Sequence, residues 1–259
     1  MYFQLTLDDV PHFNCDDKPL ADRDRIDIAT IACNNELVIS HQIRLLGKHL
    51  LDPHYYTIAD NSTERDKQEL IRQLCEKNGI GYIKLPPVTC KTVNSNLSHG
   101  WALNWVYMHY INKRQAKYFG FIDHDIYPFR PAKILEQLQE VKLYGLTQSR
   151  NVPGIGFRWY LWPGLCFFDY DYVKDRKLNF MPGDGCDVGG KNWKPLYSDF
   201  DRTKIPPLRQ AYVRLRDGDD PETDNHVEYI GDWLHTCNGS NWRKTPDKND
   251  LVDELLNRY

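Results

Sequence analysis

Apolar positions along the chain fall into two alternating rhythms, short β-branched runs and longer stretches at helical spacing. Ile26 to Cys33 (IDIATIAC) predicts a buried strand, and Glu36 to Leu51, with Leu and Ile at near-helical spacing, predicts an amphipathic helix. Tyr55 to Ala59 reads as a second strand, ended by Asp60-Asn61-Ser62-Thr63. A helix then runs from Thr63 to Asn78, with Asn61, Ser62 or Thr63 as its N-cap and Gly79 just past its end. Tyr82 to Leu85 is a third strand stopped by Pro86-Pro87, Asn96 to Asn112 a largely buried helix, and Tyr118 to Ile122 a fourth strand. This alternation specifies an α/β fold, a mostly parallel sheet with helices on both faces. Ligands of such sheets sit at the carboxyl ends of the strands. The polar residues there are Asn34, Asn35 and Glu36, then Asp60 and Asn61, then Asp123, His124 and Asp125.

Outside this region the rhythm differs. The first 25 residues are rich in Asp and lack apolar periodicity, an irregular lead-in. After residue 130 a helix (Ala132 to Val141) leads to strand-like stretches at Tyr144 to Gln148 and Trp159 to Phe168. A Gly-rich segment (Pro182 to Gly190) and a polar loop (Arg214 to Asn225) follow, then strand and turn from Val227 to His235 and a terminal helix from Asp247 to Arg258. No linker divides the chain, so one domain over residues 1–259 is expected, in two functional halves, 26–130 and 131–259.

Composition narrows the function classes. Hydrophobic residues make up 41% of the 259, enough for a sizeable core. A net charge of −3 argues against broad attachment to nucleic acid or an anionic membrane. No run approaches the ~18 apolar residues of a transmembrane segment, and Met-Tyr-Phe-Gln-Leu is not a signal pattern. Seven scattered cysteines form no C-x-x-C pair, so reduced thiols and a cytoplasmic location are the expectation.

The pattern D-x-D occurs five times, at Asp22/Asp24, Asp123/Asp125, Asp169/Asp171, Asp199/Asp201 and Asp217/Asp219. Asp123/Asp125 alone follows an aromatic, uncharged strand of the βα series. Two carboxylates on that support suit a hard cation, Mg²⁺ or Mn²⁺, that completes its shell with diphosphate oxygens. The acidic stretch Asp217 to Asn225 lacks the Gly and Glu positions of a calcium loop and reads as solvated.

The stretch YFGFIDHDIYPFRP resembles the D-x-D segment of GT-A glycosyltransferases, near the large inverting family two. IATIACNNE is similar to their first-strand segment, with Ala32-Cys33-Asn34 in place of the usual Thr-Tyr-Asn, and TIADNSTE to the second-strand segment that receives the base, with Asp60 at the matching position. Ser98, His99 and Gly100 sit where such enzymes open a nucleotide-contacting helix. The resemblance covers residues 26–130 well and the rest at scattered points. It implies a GT-A fold and a metal-dependent transferase that moves a sugar from a UDP- or GDP-linked donor to a hydroxyl of a glycan or glycoconjugate, with inversion. Ala32, Asn34, Glu36, Asp60, Ser98, His99, Gly100, Asp123, His124 and Trp242 are then donor contacts, and Asp123, Asp125 and His235 the metal ligands. GDGCDVGG resembles the acceptor-side Asp-x-Gly-Gly motif, which makes Asp187 the candidate general base and Asp184 its rival. Trp159, Tyr160, Trp162 and Trp193 are candidates for an acceptor floor. Two alternatives stand beside this reading: a nucleotide-sugar-binding protein without transferase activity, and a sugar-nucleotide pyrophosphorylase. The latter should carry a Gly-rich, Arg-containing loop where this chain reads CNNELVIS.

Overall fold

The computed structural model describes residues 4–87, 94–216, 225–239 and 247–259. A short strand β1 (His12–Phe13) precedes the alternating series β2 (Ile26–Ala32), α1 (Glu36–His49), β3 (His54–Asp60), α2 (Arg65–Asn78) and β4 (Gly81–Lys84). Next come α3 (Ser95–Val106), a π-helical turn (Tyr107–Ile111), α4 (Asn112–Arg114), β5 (Tyr118–Ile122) and β6 (Ile126–Pro128). The second half contains α5 (Leu135–Val141), β7 (Leu143–Val152), β8 (Gly156–Asp169), α6 (Tyr170–Val173), β9 (Gln210–Arg214), β10 (His226–Ile230), β11 (Trp233–His235) and α7 (Lys248–Leu256).

Seven strands form the main sheet in the order β1-β4-β3-β2-β5-β8-β7. The inner β4, β3, β2 and β5 run parallel, and β1, β8 and β7 complete the edges antiparallel. The expected α/β class is thus present, with a parallel centre. β2 and β5 are buried at every position, as strands covered on both faces must be. Residues of α1, α2, α5 and α7 join the core on one face, and residues of α3 join that on the other. Gly120 in β5 is dictated by packing, because a Cβ there would lie 2.1 Å from Phe167 Cδ1 on β8.

A second, antiparallel sheet has the order β6-β11-β10-β9. β6 leaves the carboxyl end of β5 through the Asp123–Asp125 turn and pairs with β11, placing His235 opposite Ile126. That pairing carries a residue from the last part of the chain onto the strand ends of the first half.

Several boundaries differ from expectation for local reasons. α2 starts at Arg65, and none of Asn61, Ser62 or Thr63 is its N-cap. Asn34, in the left-handed region with φ 50°, instead offers Oδ1 to the N–H groups of Thr63 and Glu64 at 2.9 and 3.0 Å. Gly79 ends α2 in the left-handed conformation, as expected. α3 begins at Ser95 with Asn94 as its cap, so the Ser98 N–H is already bonded to Asn94 O. The expected opening of that helix at Ser98 to Gly100 is therefore displaced by about one turn. Among the described residues no helix is long and apolar enough to cross a membrane. Cys15, Cys33, Cys75, Cys166, Cys186 and Cys237 are free thiols.

Candidate functional site

A cleft of about 560 Å³ opens at the carboxyl ends of β2 and β5, and its walls include Asn34, Asn61, Ser98, His99, Asp123, His124, Asp125, Asp187 and His235. The D-x-D turn is held from beneath. Buried Gln42 of α1 donates to the carbonyls of Asp123 and Ile126, both at 2.7 Å, and accepts from the Tyr56 hydroxyl, while Asp123 N donates to Gly164 O at 2.9 Å. Thr236, just past β11, donates its N–H to Asp125 O at 2.9 Å. Two strands, a helix and the end of a hairpin therefore fix one three-residue turn.

Each carboxylate of the pair faces an imidazole. Asp123 Oδ1 lies 3.4 Å from His99 Nε2, and Asp125 Oδ2 lies 3.7 Å from His235 Nε2 and accepts the Gly239 N–H at 2.8 Å. Burial raises the Asp123 carboxyl above the ordinary range, and Asp125 beside it adds to that, against the lowering by His99. Burial acts the same way on Asp125, but the charges of His235 and His124 and the Gly239 N–H outweigh it, so its carboxyl is lowered. His235 moves oppositely: burial disfavours its cation, yet Asp125, Cys237 and Glu228 hold its proton well above the usual imidazole range. Its Nδ1 lies 3.3 Å from Glu228 Oε2, and its ring packs on Trp162 with centroids 5.0 Å apart. His124 is neutral because burial lowers it, and its Nδ1 accepts the Cys33 N–H at 3.3 Å.

The three expected metal ligands thus meet at one cleft, although no group of three or more His, Cys, Asp or Glu is preset to hold an ion among the described residues. The donor chemistry still suits a divalent cation. Two carboxylates and an imidazole converge there, and a cation would take the place of the proton that Asp125 and Glu228 favour on His235, which must leave before the ring can ligate.

Other expected residues separate. Asn34 lines the cleft, but its side chain is spent on the start of α2. Ala32 is wholly buried, and Glu36 is paired with Lys67 at 2.7 Å, away from the cleft walls. Asp60 is sealed, with only 1% of its surface exposed, one oxygen accepting the Ser62 N–H at 2.9 Å and the other the Tyr82 hydroxyl at 3.0 Å. Its carboxylate supports the turn after β3, and Asn61 is the side chain presented to the cleft, donating to Ser98 Oγ at 3.0 Å. Gly100 faces the protein, since a Cβ there would meet Met181 Sδ at 3.1 Å, so its smallness serves packing. Asp187 lines the cleft, whereas Asp184 lies on the exposed turn outside it. Of the aromatic candidates only Trp162 reaches the cleft; Trp159 and Tyr160 are buried in the core and Trp193 stacks under Arg158. Trp242 lies outside the described residues.

Two contributors escaped sequence reasoning. Glu228, buried on β10, stands opposite His235 in the β10–β11 hairpin, and their symmetry about Gly231-Asp232 was a readable signal. Gly239 approaches so closely that a Cβ would fall 2.7 Å from Asp125 Cβ, and nothing local announces that.

No known protein family matches the chain, and no curated protein does. Solved structures similar to it include the mannosyltransferase PcManGT from Pyrobaculum calidifontis in complex with GDP-Man and Mn²⁺, at 13% identity and TM-score 0.46, covering 73% of this chain and 57% of that one. S. aureus TarS 1-349 in complex with UDP is 15% identical with TM-score 0.38, over 60% of this chain and 50% of that one. The galactosyltransferase LgtC, in complex with donor and acceptor sugar analogues, is 12% identical with TM-score 0.36, over 57% and 59%. The chain thus spans 57%, 50% and 59% of these structures, and its function is read from its own site.

Proposed function

We propose that this chain is a cation-dependent glycosyltransferase of the GT-A type, transferring a sugar from a UDP- or GDP-linked donor to a hydroxyl of a glycan or glycoconjugate, with inversion. The observation that carries the reading is the convergence of Asp123, Asp125, His235 and Asp187 on one cleft at the strand ends. Asp123, Asp125 and His235 would hold Mg²⁺ or Mn²⁺, which when bound stabilises negative charge on the leaving diphosphate. An ion that takes only one or two carboxylates and borrows the rest of its shell from substrate phosphates needs no preset cage.

The chain's own groups account for the rest. The nucleoside lies along Asn61, Ser95, Asn96 and Ser98, which supply amide and hydroxyl groups at the cleft wall. Neutral His124 and the His99 ring bracket the turn and contribute to its polarity. Asp187 is the better general base of the two candidates. One of its oxygens accepts the Val188 N–H at 2.8 Å, which orients the carboxylate and leaves the other to take the acceptor hydroxyl's proton. Trp162 offers an apolar ring beside His235 for the face of a sugar.

The direct test is thermal stability with UDP and with GDP, each with and without Mn²⁺. At a hundred-fold excess over the dissociation constant, binding stabilises by about 2.7 kcal/mol. A cation-dependent rise in melting temperature with either nucleotide is expected. No rise with either would overturn the reading.

A further inference from the structure

The β7–β8 hairpin carries charged side chains that the proposed reaction leaves unused. Its register sets Gln148 opposite Tyr160 and Arg150 opposite Arg158. Side chains two apart share a face of a regular strand, so Tyr160 and Arg158 follow one another on β8, whereas Trp162 lies in the irregular stretch between Leu161 and Cys166. Like charges directly opposed across an antiparallel pair repel. Among the described residues neither arginine forms an ion pair with a carboxylate, although Asp184 and Asp187 lie within electrostatic reach of the same Cys186 thiol as both. Arg150 donates to the Gly185 carbonyl at 2.8 Å, and Arg158 donates to the Phe157 carbonyl at 2.8 Å and stands over the Trp193 ring at 5.0 Å. Arg158 Nε is buried without a hydrogen-bond partner. Arg150 is tied to Gly185 of the turn that presents Asp187 to the cleft, Arg158 lies within electrostatic reach of Cys186 in that turn, and the Lys191 stem lies against Gly183.

We propose that Arg150 and Arg158 form an anion subsite that holds a phosphate group carried by the acceptor, while the acceptor's reacting hydroxyl lies at Asp187. The word acceptor rests on the transferase reading above; the anion subsite itself does not. Two positive charges at one register position are offset by one dianion, which a phosphate monoester approaches at neutral pH and a carboxylate does not. The planar guanidinium forks, one of them already over the Trp193 ring, match phosphate oxygens in pairs.

The test follows the arginine Nε–H resonances of the ¹⁵N-labelled chain, free of metal, as inorganic phosphate and, separately, acetate are added. Saturable movement of the Arg150 and Arg158 signals with phosphate, and weaker movement with acetate, is expected. Phosphate affinity should fall roughly tenfold or more in Arg150→Gln and in Arg158→Met, which lose charge-assisted hydrogen bonds. Arg158→Met keeps an apolar stem over Trp193, and Arg150 is exposed, so melting temperatures should confirm that both variants fold. Signals that do not move, that respond equally to acetate, or an affinity unchanged in both variants would overturn the subsite. A parallel titration with UDP or GDP and Mn²⁺, followed on the backbone amides of residues 123–125, keeps the two readings apart. Nucleotide binding without phosphate binding removes the subsite alone, and phosphate binding without nucleotide binding removes the transferase reading and leaves the subsite standing.

Discussion

Gly239→Ala probes the cleft through a single methyl group. Gly239 is not in the left-handed region, so the backbone accepts alanine and the effect is purely one of space. The new Cβ would lie 2.7 Å from Asp125 Cβ, 3.0 Å from His124 Nε2 and 3.1 Å from Asp125 Oδ2. Carbon atoms rest about 3.5–4.0 Å apart, so the Asp125 side chain or the segment after β11 must retreat by roughly 1 Å. That movement breaks the 2.8 Å bond from the Gly239 N–H to Asp125 Oδ2. A hydrogen bond to a charged group contributes about 1.5–3 kcal/mol, which corresponds to roughly a 10- to 150-fold loss of affinity. Calorimetric titration of UDP or GDP in Mn²⁺ measures it. Gly47→Ala is the control: a Cβ at Gly47, inside α1, meets nothing within 4 Å, so affinity should hold while stability rises by about 0.5–1 kcal/mol. Wild-type nucleotide affinity in a folded Gly239→Ala protein would refute the seat assigned to Asp125.

Three more outcomes follow. Asp187→Asn should keep nucleotide affinity and lose about 10²–10⁴ in turnover, while Asp184→Asn stays near wild type; steady-state kinetics reversing that order would move the base to Asp184. Burial pushes the Asp27 carboxyl up to about 6, against the lowering by Arg114 2.8 Å away, so the folded chain binds this proton more tightly than the unfolded one. The contribution is therefore full below about pH 4 and is lost as pH rises through 6, a fall of about 3 kcal/mol that should be absent in Asp27→Asn. Urea melts across that range with equal slopes for both proteins would contradict it. Gly120→Ala forces a methyl to within 2.1 Å of the Phe167 ring and should cost about 1–3 kcal/mol or more, seen as a lowered melting temperature.

Much of the fold was legible because it rests on continuous local signals. β5 was read at its observed limits, Tyr118–Ile122, since an aromatic run bounded by polar residues has only one buried strand in it. The Gly79 terminus was equally readable, for a left-handed helix end strongly favours glycine. β9 was missed because all five of its residues, Gln210–Arg214, are exposed, so no buried face imposed a period of two. β6 carries no readable strand signal of its own. Three residues hold too little pattern to reveal a strand whose partner, β11, lies a hundred residues away.

The candidate site divides the same way. Asp123 and Asp125 announce themselves as acidic residues ending a buried strand, and strand ends are where α/β sheets bind ligands. Asp60 has the same local signature, yet the Ser62 N–H and the Tyr82 hydroxyl engage both its oxygens, and Asn61 takes its place at the cleft. A side chain's accessibility depends on what later segments lay over it.

Taken alone, the sequence determined the alternation of strands and helices, hence the α/β class and the edge of the sheet at which to seek a site, because apolar periodicity is a property of neighbouring residues. Only the tertiary structure decided which polar groups share the cleft. β6–β11 pairing brings His235 to Asp125, Gly239 closes on the same carboxylate, and the turn from residue 183 to 190 delivers Asp187 and leaves Asp184 outside. Those approaches depend on strand register and packing between segments far apart in the chain, which no local pattern encodes.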